Sequence, residues 1–277
     1  MTTSTQDSTQ QKIVEKVWDY TKHAKFYEYR PNYAPSSIDM LAFLVKQSSQ
    51  TTAPKVADIG AGTGNLSIML LERGCKVVAV EPNDAMREIG IERTKEWAQK
   101  GQIEWVRASG VDSTLASGEF DWVTFGSSFN VMDRQSALCE AHRLLRSSGL
   151  NGGGGGIFSC MWNHRDLNDP IQNTAEEIIT EFVPHYSRGT RREDQRAIIE
   201  SRKDLFDSIL YVEEDFYFQQ SLENYINAWK SVKNPYWDLD STEGRELFEN
   251  ITQKMRATLP KELHIKYTTR CWSARKV

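Results

Sequence analysis

The stretch Val56-Ala57-Asp58-Ile59-Gly60-Ala61-Gly62-Thr63-Gly64-Asn65 joins an apolar run that ends in an acid to three glycines at alternate positions. Without a Cβ these positions reach positive φ and let a ligand lie against the backbone, while a helix predicted to start near Gly64 offers free N–H groups. The spacing is GxGxG and not the GxGxxG of a dinucleotide pyrophosphate site, which favours a nucleotide-like ligand without phosphates. The next apolar run, Val77-Val78-Ala79-Val80, ends in Glu81-Pro82-Asn83. A carboxylate at that strand tip can accept both hydroxyls of a ribose. Taken alone, the glycine loop is also compatible with a structural turn; the acid on the following strand weakens that alternative.

Around this segment, short apolar runs alternate with helical patterns, which predicts βαβ units and a parallel sheet. Strands are predicted over 55–59, 76–80, 103–106, 121–125 and 157–162, with helices starting near Gly64 and Asp84 and another over 135–146. Gly74 is a natural helix stop. Upstream, apolar spacing predicts a helix over 11–21, then an aromatic stretch over 26–33 interrupted by Pro31 and a helix over 36–46. Downstream, a polar region with a helical pattern over 171–182 reads as a lid. A strand over 210–218, two helices and a last strand over 265–272 bring the chain back to the sheet.

Composition narrows the function classes. With 277 residues, 39% hydrophobic and 26% charged, the chain has the balance of a globular domain. A net charge of −4 argues against a grip on phosphate backbones, so no nucleic-acid partner is expected. Residues 1–11 are rich in Thr, Ser and Gln and form no secretory signal. No run approaches the roughly 18–20 apolar residues of a membrane span. Four cysteines without CxxC spacing fit a reducing cytoplasm, and five scattered histidines offer no ligand spacing, so no metal is expected.

On the residues quoted above, the chain resembles the class I S-adenosylmethionine (SAM) dependent methyltransferases, in particular the small-molecule branch with the trans-aconitate and quinone-type enzymes. The resemblance covers most of the chain. It implies an α/β, Rossmann-like seven-stranded fold with the last strand antiparallel and a helical lid, organised as one domain over 1–277. Within it, 1–36 would be an N-terminal helical and aromatic cap, 37–165 the cofactor-binding core, 166–204 the lid insertion and 205–277 the segment completing the sheet. The resemblance assigns Asp58 and the loop Gly60, Ala61, Gly62, Thr63 and Gly64 to the methionine part of SAM, and Glu81 to the ribose. Pro82, Asn83 and Met86 would flank the adenosine, Ser109, Gly110 and Val111 the adenine. The segment from Gly126 and Ser127 to Phe129 and Asn130 would form the floor between cofactor and substrate. Tyr29 and Arg30 would meet the SAM carboxylate, a role that suits the guanidinium fork; the residues themselves are equally compatible with a solvated arginine beside packing aromatics.

Trp162-Asn163-His164-Arg165-Asp166 is expected just beyond the fifth strand, at the carboxyl edge where doubly wound sheets place their ligands. His164 is the candidate general base, since imidazole can take a proton near neutral pH; a histidine that satisfies a loop carbonyl is the alternative. Candidate substrate walls are Tyr27, Phe129, Trp162, Tyr225, Trp229, Tyr236 and Trp237, all of which core packing also explains. His164-Arg165-Asp166-Leu167 echoes a kinase loop without its companion motifs. Asn234-Pro235-Tyr236-Trp237 echoes an adenine-methylating tetrad but lies in the wrong part of the chain. The glycine-rich piece over 147–156, longer than the family's turn, is expected at the amino edge as an insertion away from the cofactor. The expected activity is methyl transfer from SAM to an O, N or C nucleophile of a small organic substrate. Rival readings are a nucleic-acid or protein methyltransferase, a nicotinamide oxidoreductase and a SAM-binding protein without catalysis.

Overall fold

One seven-stranded sheet runs in the order β3-β2-β1-β4-β5-β7-β6. Its strands are β1 (Lys55–Ile59), β2 (Lys76–Val80), β3 (Ile103–Val106), β4 (Trp122–Gly126), β5 (Ile157–Arg165), β6 (Phe206–Ser221) and β7 (Glu262–Lys276). The first five pair in parallel, and β7 is antiparallel to both neighbours. The computed structural model describes residues 20–148, 154–187, 193–232 and 235–277. The helix predicted over 11–21 falls almost entirely outside them, as does part of the glycine-rich piece over 147–156.

Nine α-helices are present among the described residues: α1 (Pro35–Ser49), α2 (Asn65–Glu72), α3 (Asp84–Arg93), α4 (Lys95–Gln99), α5 (Arg134–Leu144), α6 (Pro170–Phe182), α7 (Arg196–Glu200), α8 (Leu222–Lys230) and α9 (Thr242–Thr258). The central strands are buried on both faces, as crossover helices require. Val56, Ala57 and Ile59 are fully buried. One core cluster joins Ile59, Phe125, Leu138 and Phe158; a second joins Val56, Leu41, Leu70 and Trp122. A third, separate cluster packs α6, α8 and α9 against β7 through Ile178, Tyr225, Trp229, Ile251 and Tyr267. Asp169 caps α6 by accepting from the Ile171 and Gln172 amides, with Pro170 at the first helical position.

Two differences from the sequence reading matter for function. The fifth strand does not stop at 162: Asn163, His164 and Arg165 continue it, paired with Thr269, Thr268 and Tyr267 of β7. His164 therefore stands on a strand and not in a loop beyond it. The sixth strand likewise extends over 206–221, because β7 pairs with it along that stretch, with one register shift between Asp207 and Leu210. Among the described residues no helix is long and apolar enough to cross a membrane.

Candidate active site

The order β3-β2-β1-β4 reverses direction of winding between β1 and β4, and doubly wound sheets open a crevice at the carboxyl ends of such strands. A cavity of about 470 Å³ lies there. The loop after β1 carries Gly60 at φ +69° and Gly64 at φ +84°. At Gly60 the need for glycine is doubled, because a Cβ would meet the Ser128 Cβ at 2.6 Å. Ser128 in turn donates from Oγ to the Ile59 carbonyl at 2.6 Å, tying the ends of β1 and β4 together.

Glu81 at the tip of β2 accepts from the Gly62 amide at 2.8 Å and from the Asn83 amide at 2.9 Å. Burial pushes its carboxyl above the usual range, against the pull of those two backbone donors. From the other side Arg93 of α3 donates to the Thr63 carbonyl at 2.7 Å and to Asn65 Oδ1 at 2.6 Å. The loop is therefore held by an acid and a guanidinium before any ligand arrives. Asp58 is fully buried and accepts from Ser67 at 2.6 Å and Thr124 at 3.0 Å. Its burial pushes the carboxyl up to about 6, with both hydroxyls opposing.

Of the residues expected to hold the cofactor, Arg30, Asp58, Gly60, Ala61, Gly62, Thr63, Glu81, Met86, Gly126 and Ser127 line this one cavity. Arg30 lies 4.9 Å over the Tyr27 ring, and Tyr27 also lines the cavity. Tyr29, Gly64, Pro82, Asn83, Ser109, Gly110 and Val111 do not line it. Asn83 spends its side chain capping α3 through the Met86 amide, and Gly110 packs against Ile59 and Met132, leaving no room for a Cβ. Gly64, the cap of α2, turns toward the Trp105 ring.

On the substrate side, Asn130, His164, Tyr225, Trp229 and Tyr236 line the cavity. Phe129, Trp162 and Trp237 do not; they are buried in the core. Phe129 packs edge-on against Phe125 and Phe158. Trp162 acts through a neighbour, donating from Nε1 to Asn130 Oδ1 at 2.9 Å.

Several lining residues had no role assigned from sequence. Tyr33 bonds Ser127 Oγ at 3.0 Å, and Ser127 sits at φ +60°, a left-handed conformation unusual for a side chain other than glycine. Asn163 donates to the carbonyls of Pro31 and Asn32, fastening the aromatic segment to β5. Arg165, Tyr186 and Tyr267 complete the wall. Two polar donors at the end of a strand, Asn163 and Arg165, were the available signal.

Residues 57–151 match the model of the methyltransferase domain family. The chain is 31% identical over 140 residues to an uncharacterized methyltransferase of Mycobacterium tuberculosis, covering 50% of this chain and 48% of that protein. It is also 30% identical over 111 residues to the ubiquinone/menaquinone biosynthesis C-methyltransferase UbiE of Cronobacter sakazakii, covering 39% of this chain and 44% of the relative. The chain thus spans about half the length of the curated relatives it matches. A proposed type II methyltransferase from Anaeromyxobacter dehalogenans superposes with a TM-score of 0.55 at 13% identity, covering 89% of this chain and 97% of the other. The fold is the α/β, seven-stranded fold of the class I methyltransferases.

The residues present fit SAM, the cofactor that the sequence resemblance implies. The glycine loop leaves backbone open to a ligand, and two buried acids, Asp58 and Glu81, stand at adjacent strand tips beside it. Among the described residues no cluster of His, Cys, Asp and Glu is arranged to hold a metal.

Proposed function

We propose that the protein transfers the methyl group of SAM to a nucleophile of a small organic molecule. The observation that carries this reading is continuity: the glycine loop with Asp58 and Glu81, and the aromatic chamber with His164 and Trp229, are walls of one cavity. Its volume of about 470 Å³ lies in the range of small-molecule sites. Glu81 would take the ribose hydroxyls on the lone pairs that Gly62 and Asn83 leave free, and Asp58 with the Gly60–Thr63 backbone would take the methionine part. Arg30 would meet the carboxylate. Bound there, SAM supplies a methyl group on a sulfonium, already activated for in-line displacement.

What remains for the chain is orientation and proton handling. Tyr33, bonded to Ser127, and Asn163, bonded to the Pro31 and Asn32 carbonyls, fasten the aromatic segment beside the cavity, where it would help exclude water from the attack path. Asn130, a lining residue fixed by Trp162, would orient the acceptor. His164, only 6% exposed, would receive the proton of an acceptor hydroxyl or ammonium. A cytoplasmic location belongs to the same reading.

The test is direct. Purified protein is incubated with SAM labelled in its methyl group and a small-molecule extract of its source, and the labelled product is identified by mass spectrometry. Label in a low-molecular-weight product, absent with Glu81→Ala, supports the proposal; no calorimetric binding of SAM or S-adenosylhomocysteine overturns it.

A further inference from the structure

The segment that carries Tyr27 and Arg30 is joined to the sheet by a chain of polar groups. Thr269 of β7 is fully buried; its hydroxyl accepts from the Ala34 amide at 2.8 Å and donates to Asn163 Oδ1 at 2.6 Å. Asn163 stands opposite Thr269 in the pairing of β5 with β7 and carries the chain further. Its Nδ2 donates to the Pro31 carbonyl at 3.1 Å and to the Asn32 carbonyl at 2.9 Å. The direction of the chain is fixed by its ends. A backbone amide only donates, so the hydroxyl proton of Thr269 is free for Asn163; with Oδ1 taken, the NH₂ group faces the two carbonyls.

This anchor lies one peptide bond from Arg30. A proline fixes its own φ and confines the residue before it to extended backbone, and Arg30 has φ −78° and ψ 140°. With the Pro31 and Asn32 carbonyls held by Asn163, the Arg30 backbone keeps little freedom. Its guanidinium rests 4.9 Å over the Tyr27 ring, and both residues line the cavity. At the other end of the segment the contacts of Lys22 with Asp240 and of Thr21 with Asn83 are exposed, where water competes with each bond. Thr269 is not a lining residue, so its influence on a bound ligand runs through Asn163 and Ala34.

We infer that Thr269 is a positioning residue for donor binding, which through Asn163 and the backbone of 31–34 sets Arg30 for the carboxylate of SAM. This inference rests on the methyltransferase reading of the cavity and on Arg30 as the partner of that carboxylate. Without the Thr269 hydroxyl, the Ala34 amide and Asn163 Oδ1 lose a buried partner, and the Asn163 amide loses the contact that dictates its orientation. The segment then loosens at Arg30. Glu81 and the glycine loop are not members of the chain, so the adenosine end of the site keeps its geometry.

The probes are S-adenosylhomocysteine and 5′-methylthioadenosine, which share the adenosine and the thioether; only the first carries the amino-acid carboxylate. Binding of each is measured by calorimetry on the wild type, Thr269→Val, Thr269→Ser and Ser273→Ala. Valine keeps the shape of threonine without its hydroxyl, and serine keeps the hydroxyl. Ser273→Ala removes a different buried bond between β5 and β7, that of Ser273 with Ser159 at 2.7 Å. We expect Thr269→Val to bind S-adenosylhomocysteine about tenfold more weakly and 5′-methylthioadenosine like the wild type. Thr269→Ser should stay within about threefold of the wild type for both ligands, and Ser273→Ala should leave both affinities unchanged. Equal loss of both ligands in Thr269→Val, no loss of S-adenosylhomocysteine, a Thr269→Ser as weak as Thr269→Val, or a Ser273→Ala that shifts the ratio as Thr269→Val does overturns the inference. Should Thr269→Val fail to fold, Asn163→Ala, which removes both donors to the segment, is judged by the same ratio. A wild type that binds both ligands equally refutes the Arg30 contact and the inference with it. A wild type that binds neither refutes the donor site itself, an outcome visible before any substitution is made.

Discussion

The carboxylate of Glu81 reaches the Gly62 amide at 2.8 Å, so the tip of β2 and the glycine loop of β1 form one unit. The same carboxylate holds the Asn83 amide at 2.9 Å with its other oxygen. Both oxygens are therefore committed to loop geometry on one lone pair each, which orients the remaining pairs toward the cavity. A ribose-binding acid and a loop-bracing acid are here the same residue.

Glu81→Gln separates these roles, because an amide keeps one acceptor and turns the other into a donor facing a backbone N–H. The lost charge-assisted hydrogen bond and the new clash of donors are together worth about 2–3 kcal/mol at this buried position. Affinity for S-adenosylhomocysteine should fall about 30-fold to 100-fold by calorimetry. An affinity unchanged in Glu81→Gln would show that the acid does not touch the donor.

Asp58 gives a prediction for stability. Its carboxyl is pushed up to about 6 from the ordinary 3.8 because it is buried. The folded state then holds more protons than the unfolded state between these two values, so stability falls as pH rises through that window. The cost is complete above about pH 6 and amounts to roughly 3 kcal/mol. Asparagine avoids it and retains an acceptor for Ser67 or Thr124, losing about 1 kcal/mol of hydrogen bonding. Urea unfolding should find Asp58→Asn more stable than the wild type at pH 8 by about 2 kcal/mol, with the advantage gone near pH 4, while donor binding weakens. A variant less stable than the wild type at both pH values would contradict this account.

Trp162 and Asn130 provide a test on the substrate side. Trp162→Phe keeps an aromatic ring against Trp272, which Trp162 meets edge-on at 6.0 Å, but removes the donor that fixes Asn130 Oδ1. The cavity floor would loosen without any change at the glycine loop. Steady-state kinetics should show a KM for the acceptor raised about fivefold to tenfold, consistent with one lost hydrogen bond of about 1 kcal/mol, and a KM for SAM close to that of the wild type. Equal increases in both constants would mean that Trp162 serves the fold as a whole.

The parts of this site that local backbone demands dictate could be read in the sequence. Gly60 and Gly64 advertise positive φ, and the apolar runs before Asp58 and Glu81 advertise strands buried on both faces. What depends on distant pairing could not. Asn163, His164 and Arg165 look like the start of a polar loop, and only their register against Tyr267–Thr269 makes them strand. Nor does the sequence tell which face an aromatic takes: Phe129 and Trp162 read as pocket walls yet fill the core, whereas Tyr33 and Tyr267 reach the cavity. The setting of Arg165 depends on Trp229 and Tyr186, residues that α8 and the segment after α6 bring to it.

The role of His164 is decided by how a rate depends on pH. The residue lies on β5, opposite Thr268 of β7 and within the cavity wall, so its backbone cannot shift without disturbing the sheet. A substitution there changes the side chain alone. If His164 takes the acceptor proton, His164→Asn removes a group whose contribution is typically about 10²-fold to 10⁴-fold, and kcat should fall by that factor with S-adenosylhomocysteine affinity preserved. A base must also be neutral to act, so the wild-type kcat should decline on the acidic side along one titration and regain a plateau above it. That limb should vanish in His164→Asn, leaving a low and flat profile. A variant that is slower by the same factor at every pH, with the acidic limb intact, would assign the proton to another group and leave His164 a positioning residue.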